Sequence, residues 1–491
     1  MNKPLRRIAL AVMVLMTVLL ANSTYVQVIK ADDLRADPRN QRVLLEEFSR
    51  QRGQISAGGQ VLASSVATND RINFLRTYPT SPAAYAPTTG YYSLQYASSG
   101  IERAEDPILN GSDDRLFGRR LFDLVAGRDP RGGNVALTID PRVQQTAYDQ
   151  MTAARYTGAV VAIRPRTGEI LAMVSTPSYD PNPLASHDAA TRTAAWNALQ
   201  NDPASPLTNR AVSETYPPGS TFKVVLTAAA LASGKTTPDT QLTARPQITL
   251  PGTNTTLENY NGSTCGAGAT ASLTEAFARS CNTAFAELGI STGVDALRSQ
   301  ATALGVGPGT PDVPLPVADS ALGDIPDPAA LGQSSIGQRD VRLTPLENAV
   351  IAATVANGGV RMQPNLVAQL QSPDLSPLTT TKPTALGQAI DPKVNATLTK
   401  LMIGAEDRAG NEGKINGVQI ASKTGTAEHG TDPKNTPPHA WYIAFAPATD
   451  PQVAVAVLVE NGGNRALAAT GGSVAAPVGR AVIAAALQGG R

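Results

Sequence analysis

The sequence predicts an α+β protein in which one antiparallel sheet packs against a helical cluster, preceded by an N-terminal module and one membrane-spanning helix. Two pairs of strand-like runs lie far apart, at residues 158–174 and 440–459, and the residues between them are mostly helical in pattern. A third observation is the apolar run at residues 8–29. Strand runs at both ends of a helical middle favour a single sheet with a separate layer of helices.

Composition limits the domain count and the classes of partner. The chain has 491 residues and a formal net charge of +1. This length predicts two or three domains, because single cores rarely exceed about 250–300 residues. The balanced charge and the 4% aromatic content argue against nucleic acid, which requires a basic surface and stacking side chains. Two Cys and three His do not support a metal site, and we expect no cofactor.

Residues 8–29 are predicted to be a transmembrane anchor. As a helix the run would be about 33 Å long, which is enough to span a bilayer. A signal peptide cleaved near Ala21-Asn22-Ser23 is one alternative, and a buried core helix is another. We favour an uncleaved anchor because apolar residues continue past the cleavage site. Residues 1–7 would then be a cytoplasmic tail, and the chain from residue 30 would be extracytoplasmic.

Residues 30–154 are predicted to be an N-terminal module without a paired nucleophile and base. Residues 42–50 have helical spacing, and residues 52–63 indicate a hairpin. Residues 81–90 are predicted to be a loop, because they are rich in Pro, Thr and Gly. Residues 135–151 indicate a strand followed by a helix with an aspartate N-cap.

Residues 155–491 are predicted to be the larger domain. The runs at residues 158–163 and 169–174 flank a turn and indicate a hairpin, and a second strand pair lies at residues 440–459. A helix rich in Ala and Val closes the chain from about residue 474 to residue 487. Residues 372–384 are predicted to be a low-complexity surface loop.

The most informative local pattern is residues 216–223, YPPGSTFK, followed by an apolar run. Two prolines and a glycine predict that a helix begins at about Ser220. Ser220 and Lys223 then share a helical face. Burial would lower the pKa of the lysine, which could then take a proton from the serine hydroxyl. In isolation the pattern fits a serine N-cap and a solvent-reaching lysine better.

Two further patterns change this assessment. Ser280-Cys281-Asn282 lies 60 residues beyond Ser220, at a predicted boundary between helix and loop. A K-T-G-T run at residues 423–426 follows 143 residues later, at the end of a strand-like run over residues 418–422. Each pattern is weak alone. In this order they form the S-x-x-K, S-x-N and K-T-G series of penicillin-binding proteins and β-lactamases.

The chain resembles a class B penicillin-binding protein, a peptidoglycan D,D-transpeptidase, over nearly its whole length. The resemblance implies a transpeptidase domain of the penicillin-binding and β-lactamase-like fold over residues 155–491. It also implies a pedestal or dimerisation-type module over residues 30–154. Segments outside the three motifs that carry the resemblance are residues 52–55, 61–63, 100–102, 162–173, 209–211, 335–338, 344–347 and 439–441.

The resemblance implies four catalytic residues. Ser220 attacks the penultimate D-Ala carbonyl of a stem peptide, and Lys223 is the base for this acylation. Ser280 and Lys423 relay the proton to the leaving D-Ala amine. Whether Lys223 or another group is the true base stays open, because the base is disputed for related enzymes.

The resemblance also implies a substrate-binding set. Asn282 would bind the substrate amide, while Thr424 and Thr426 would hold the terminal carboxylate. Gly425 would let the substrate backbone approach the strand closely. The backbone N–H groups of Ser220 and Thr426 would form the oxyanion hole.

Cys281 departs from the family pattern, which often has Asp at this position. Cys265 and Cys281 lie 16 positions apart in a chain predicted to be exported. The sequence leaves a disulfide and two buried thiols open. A disulfide would restrain the loop that carries Ser280 and Asn282.

Two other functions use the same motifs. One is a D,D-carboxypeptidase or β-lactamase, and the other is a β-lactam-binding sensor or division scaffold. The long N-terminal module favours a transpeptidase, and three intact motifs argue against an inactive scaffold. The expected partners are stem peptides ending in D-Ala-D-Ala, β-lactams, a SEDS-type membrane glycosyltransferase and division proteins. The expected location is the cell membrane.

Overall fold

The computed structural model describes residues 2–30, 48–119, 125, 131–309 and 311–488. It begins with the helix Asn2–Thr24, which continues into a π-helical turn, Tyr25–Ile29. The span Lys3–Ile29 has a mean hydropathy of 1.9, and none of its most apolar window is buried. The predicted apolar helix therefore fits a single-pass membrane anchor. Of the helix predicted at residues 42–50, residues 42–47 lie outside the described residues.

The N-terminal sheet combines strands from both halves of the chain. Ile55–Ala57 and Gln60–Ala67 form the predicted hairpin. Val367–Gln371 and Pro377–Thr380 join the same sheet through Asn134–Leu137. The prediction of a surface loop at residues 372–384 is therefore partly wrong, because residues 377–380 form a strand. In spatial order the strands are Pro377–Thr380, Val367–Gln371, Asn134–Leu137, Ile55–Ala57, Gln60–Ala67 and Phe74–Thr77.

The prediction of a loop at residues 81–90 is wrong. The helix Pro82–Thr89 occupies this segment, with Pro87 inside it, and its residues from position 84 to position 89 are buried. Gln144 Nε2 donates to the carbonyl of Ala84 at 2.7 Å, and Thr88 Oγ1 donates to that of Met173 at 3.3 Å. Burial and hydrogen bonds from neighbouring elements outweigh the weak helix propensity of Pro and Thr here.

The central sheet is antiparallel and confirms both predicted strand pairs. Its edge strand pairs Thr426 with Ala440 in the next strand. In spatial order the strands are Ala421–Ala427, His439–Ala446, Val453–Val459, Gly158–Ile163 and Ile170–Thr176. Almost every side chain in these strands is buried, which shows that both faces of the sheet are covered.

Helices cover both faces of the central sheet. Pro345–Ala356 packs on one face, together with a cluster of further helices. Pro141–Ala153 and Ala476–Gln488 pack on the other face and against each other. The helix Pro141–Ala153 lies before the predicted domain boundary at residues 154 and 155, yet it packs on the central sheet. That boundary therefore stays a prediction. The helical cluster comprises Lys223–Ala232, Leu273–Arg279, Asn282–Thr292, Val294–Leu304, Pro328–Ser334 and Pro392–Glu406.

The remaining elements are short, except for the helix Ala189–Gln200. The strands are Tyr92–Ser93, Ala97–Ser98, Gln241–Thr243, Gln247–Thr249, Thr256–Glu258, Thr270–Ser272, Val360–Met362 and Ala385–Gln388. The helices are Gly100–Ala104, Asp106–Leu109, Asn182–Ala185 and Ala189–Gln200, with 3₁₀ turns at Asp114–Leu116, Gly219–Phe222, Tyr260–Gly262 and Glu460–Ala468 and a π turn at Gly471–Ala475.

Candidate active site

Ser220 lies in the 3₁₀ turn Gly219–Phe222, which leads directly into the helix Lys223–Ala232. The α-helix therefore begins three residues later than predicted. Gly219 has φ = +53°, and a side chain there would come within 2.9 Å of the carbonyl oxygen of Thr426. The turn that carries Ser220 is thus held against the edge strand of the central sheet.

Lys223 is buried beside the Ser280-Cys281-Asn282 segment. Its Nζ donates to the carbonyl of Ser280 at 2.7 Å and to Oδ1 of Asn282 at 2.8 Å. The distance from Nζ to the Ser280 hydroxyl oxygen is 3.3 Å. These contacts orient the lysine toward a residue 57 positions away in the sequence.

Lys423 approaches the same serine from the edge strand. Its Nζ donates to Ser280 Oγ at 2.8 Å and to the carbonyl of Thr424 at 3.1 Å. Ser280 adopts a left-handed conformation, with φ = +61°, at the end of the helix Leu273–Arg279. Its hydroxyl therefore lies between two buried amines, one from the helical cluster and one from the sheet.

Burial lowers the pKa of both lysines. The pKa of Lys223 falls well below its usual value because of burial, and the neighbouring Lys423 lowers it further. Burial lowers the pKa of Lys423 to about 7. The rings of Phe285 and Phe277 lie 5.1 Å from Lys223 Nζ and 5.8 Å from Lys423 Nζ. Among the ion pairs of the described residues none joins either lysine to a carboxylate, so no partner offsets the effect of burial on the two pKa values.

The K-T-G-T run lies within the strand Ala421–Ala427. The prediction that it ends a strand at residues 418–422 is therefore wrong, because the strand begins later and includes the run. Gly425 is buried, and a side chain there would come within 2.8 Å of the carbonyl of Pro218. Thr424 and Thr426 are partly exposed on either side of this glycine. The strand thus presents two threonines beside the turn that carries Ser220.

Cys265 and Cys281 are joined by a disulfide, with their Cα atoms 5.8 Å apart. Cys281 precedes the helix Asn282–Thr292. The amide of Asn282 donates from Nδ2 to the carbonyl of Glu258 at 3.1 Å. The disulfide and this hydrogen bond both restrain the segment that carries Ser280.

Sequence reasoning missed several side chains that support the site. Trp441 entered the sequence analysis only within the family-like segment at residues 439–441, yet its Nε1 donates to the carbonyl of Pro217 at 3.0 Å. Phe277 and Phe285 were not singled out, although they lie beside the two amines. Their positions, three residues before Ser280 and three after Asn282, are the only signal that could have identified them.

The arrangement provides a serine on a tight turn, two amines of lowered pKa and a hydroxyl between them. These groups are suited to nucleophilic acyl transfer with internal proton transfer. The protein-family model for the penicillin-binding protein transpeptidase domain matches residues 158–484. The family model for the penicillin-binding protein A dimerisation domain matches residues 52–135.

The chain belongs to the penicillin-binding protein transpeptidase family. It is 64% identical over 493 residues to the peptidoglycan D,D-transpeptidase PbpA of Mycolicibacterium smegmatis, with 100% of each chain covered. Identity is also 64%, over 492 residues, to the protein of the same name from Mycobacterium tuberculosis, again with 100% of each chain covered. The chain is thus a class B penicillin-binding protein.

Solved structures agree with this assignment. Penicillin-binding protein A from M. tuberculosis, in its ceftriaxone acyl-enzyme complex, superposes with a TM-score of 0.88 at 64% identity. The match covers 90% of this penicillin-binding protein and 100% of that chain. The D,D-transpeptidase domain of a peptidoglycan glycosyltransferase from Eggerthella lenta gives a TM-score of 0.75 at 30% identity, covering 90% and 99% of the two chains.

Proposed function

We propose that this penicillin-binding protein is a peptidoglycan D,D-transpeptidase, which cross-links stem peptides in cell-wall synthesis through an acyl-enzyme on Ser220. The observation that carries the proposal is the Ser280 hydroxyl held between the amines of Lys223 and Lys423, beside the turn of Ser220. The names of relatives that are 64% identical over the whole chain support the same reaction.

In the acylation step, Ser220 Oγ attacks the penultimate D-Ala carbonyl, and Lys223 takes the hydroxyl proton. The backbone N–H groups of Ser220 and Thr426 stabilise the oxyanion. Collapse of the tetrahedral intermediate breaks the peptide bond and leaves an ester on Ser220. Ser280 and Lys423 deliver a proton to the departing D-Ala amine.

In the second step, the amine of another stem peptide attacks the ester. A new peptide bond forms, and Ser220 Oγ regains its proton. Before acylation, Asn282 binds the substrate amide, and Thr424 and Thr426 bind the terminal carboxylate of the donor, which leaves with the D-Ala. The donor lies along the edge strand, where a peptide can add its own backbone hydrogen bonds and where Gly425 allows close approach.

β-Lactams are proposed to acylate the same serine. A β-lactam carbonyl occupies the position of the D-Ala carbonyl, and Ser220 opens the ring to form an ester. The nitrogen released by ring opening stays tethered to the acyl group, so no fragment leaves the site. The acyl-enzyme complex of the M. tuberculosis relative supports this proposal.

The location and partners complete the proposal. Residues 8–29 anchor the protein in the cell membrane, with residues 1–7 inside and the transpeptidase domain, residues 155–491, outside the cytoplasm. Residues 30–154 form the module between the anchor and the transpeptidase domain. The match to a dimerisation domain over residues 52–135 supports this module. A SEDS-type membrane glycosyltransferase and division proteins are proposed partners, on the family resemblance alone.

Covalent labelling with a fluorescent penicillin tests the nucleophile. The wild-type protein should be labelled, and Ser220→Ala should not, because no ester can form. Ser213→Ala removes an exposed serine nearby and is the matched control, which should be labelled like wild type. Equal labelling of Ser220→Ala would exclude Ser220. Slow hydrolysis of the adduct is expected, and rapid turnover would instead identify a β-lactamase.

A further inference from the structure

Two adjacent residues of the edge strand Ala421–Ala427 enter two separate buried polar clusters. Successive side chains of a strand point to opposite faces. Lys423 hydrogen-bonds to Ser280 in the cluster described above. Ser422, which is fully buried, donates from Oγ to Oε2 of Glu406 at 2.5 Å. The strand is therefore held from both faces at neighbouring positions.

Glu406 joins the strand to two other elements. Tyr442, in the next strand, donates from its hydroxyl to the same oxygen, Oε2, at 2.9 Å. Arg480, from the C-terminal helix, donates from Nε to Oε1 at 2.8 Å. Of these side chains Glu406 is the most exposed, at 6%. A carboxylate so enclosed must keep its partners, because leaving one unpaired in the interior is costly.

Arg480 is itself fixed to the backbone. Its Nη1 donates to the carbonyl of Glu412 at 2.6 Å, and its Nη2 donates to that of Gly410 at 3.1 Å. Glu406 is therefore tied to a guanidinium that cannot move freely, and Ser422 is tied to Glu406. Because Ser422 immediately precedes Lys423, this chain of contacts fixes the strand at the position of the catalytic amine.

The edge strand needs such support more than the inner strands do. Within the described residues it pairs with one strand only, His439–Ala446, and its other edge faces the turn of Ser220. A substrate backbone would occupy that free edge. Small shifts of an edge strand would move Lys423 out of hydrogen-bond reach of Ser280.

We propose that Glu406 is a positioning residue for acylation, which acts through Ser422 to keep Lys423 in hydrogen-bond reach of Ser280. The inference rests on the proposed function, because it assigns Lys423 to proton transfer in the acylation of Ser220. It adds a carboxylate that touches neither the substrate nor the reacting atoms.

A pair of hydroxyl deletions tests this role. Ser422→Ala and Tyr442→Phe each remove one donor to the same oxygen of Glu406, but only Ser422 adjoins Lys423. Stopped-flow acylation by a chromogenic β-lactam separates the acylation rate constant from the dissociation constant of the initial complex. Ser422→Ala should lower the rate constant by about ten- to a hundredfold, as expected for a misplacement near 1 Å, and leave the dissociation constant unchanged. Tyr442→Phe should retain the wild-type rate constant.

Thermal unfolding of both variants completes the test. If the role were only structural, any loss of rate would follow the loss of stability equally in both variants, and that result would overturn the proposal. A wild-type rate constant in Ser422→Ala would also overturn it. If Ser422→Ala does not fold, the isosteric pair Ser422→Thr and Ser422→Val replaces it. Ser422→Thr keeps a hydroxyl and should have the larger acylation rate constant, and equal rate constants would overturn the proposal. Labelling of wild type at Ser220 in the same assay shows that the proposed function stands independently.

Discussion

Two buried clusters of cations differ in the type of cation and in the presence of a buried carboxylate. In the N-terminal module, Arg52 and Arg76 share the fully buried carboxylate of Glu102, each through a 2.6 Å contact from Nε. Burial alone would raise the pKa of Glu102, but Arg76 and Arg52 outweigh it and lower that pKa. In the candidate active site, Lys223 and Lys423 surround a neutral hydroxyl, and burial lowers their pKa values without a carboxylate to offset it.

The comparison shows that burial of charge does not by itself indicate a reactive site. A cation with a buried carboxylate partner keeps its proton and contributes structure. A buried lysine without one can release its proton near neutral pH and act as a base, whereas an arginine stays protonated. The ion-pair cluster is expected to serve stability, and the lysine cluster is expected to serve acylation.

Replacement of Lys223 by alanine should have the largest effect on the lysine cluster. Loss of a general base is expected to lower the acylation rate constant by about two to four powers of ten. The rate of covalent labelling by penicillin measures this effect. Lys235→Ala, at an exposed lysine that follows the same helix, is the control and should react like wild type. An unchanged rate in Lys223→Ala would remove the lysine from the mechanism.

Replacement of Glu102 by glutamine should act on stability instead. It leaves two buried guanidinium groups without their shared carboxylate, and the free energy of unfolding should fall by about 3–5 kcal/mol. Urea denaturation measures this change. The acylation rate constant of the folded variant should stay at the wild-type value. A large loss of acylation with little loss of stability would break the distinction between the two clusters.

The pH dependence of acylation should follow the lysine cluster. Below pH 7, Lys423 gains a proton, because burial sets its pKa at about 7. A proton on Lys223 would then lie beside a cation, which keeps Lys223 neutral as the base, while protonated Lys423 can supply the leaving amine. The rate constant should therefore fall as the pH rises from 6 to 9 and Lys423 loses its proton, about tenfold per unit once above the midpoint. A rate that stays constant over this range would contradict the assignment.

Stability should also respond to pH, with a sign that follows from the same pKa. Between about pH 7 and the usual lysine pKa of 10.5, the unfolded chain binds more protons than the folded one. The contribution of Lys423 to the free energy of unfolding should therefore rise with pH across this window and be constant below it. Comparing wild type with Lys423→Met by urea denaturation isolates this contribution.

The smallest effect is expected at the rim of the ion-pair cluster. Arg52 also contacts Asp106, whose side chain is 32% exposed. Because water screens this pair, Asp106→Asn should lower the free energy of unfolding by about 1 kcal/mol or less. Urea denaturation measures this change as well. If Asp106→Asn lowered the free energy of unfolding as much as Glu102→Gln, exposure to water would not explain a difference between the Arg52–Asp106 and Arg52–Glu102 pairs.

Local patterns sufficed for much of the fold. The hairpin at residues 158–174 was predictable because two β-rich apolar runs and the turn between them lie within one short segment. The helix Pro141–Ala153 was predictable from its Asp140 cap and its proline at the first position. Both predictions depend on neighbours in the chain, which the sequence lists directly.

Segments that depend on distant partners were predicted wrongly. Residues 81–90 are rich in loop-forming residues but become a helix when buried against the rest of the chain. Residues 377–380 lack a strong strand pattern but pair with Val367–Gln371, which extends the N-terminal sheet. In both cases tertiary contacts outweigh weak local propensity.

The sequence alone determined the order of the three motifs, the N-terminal apolar helix and the apolar runs that form the central strands, because each of these is a local property. Only the tertiary structure decided that amines 200 positions apart share the hydroxyl of Ser280, and that Glu406 holds the residue before one of them. Such contacts depend on how the sheet and the helices pack, and the spacing of residues along the chain does not determine the distance between two side chains in the folded protein.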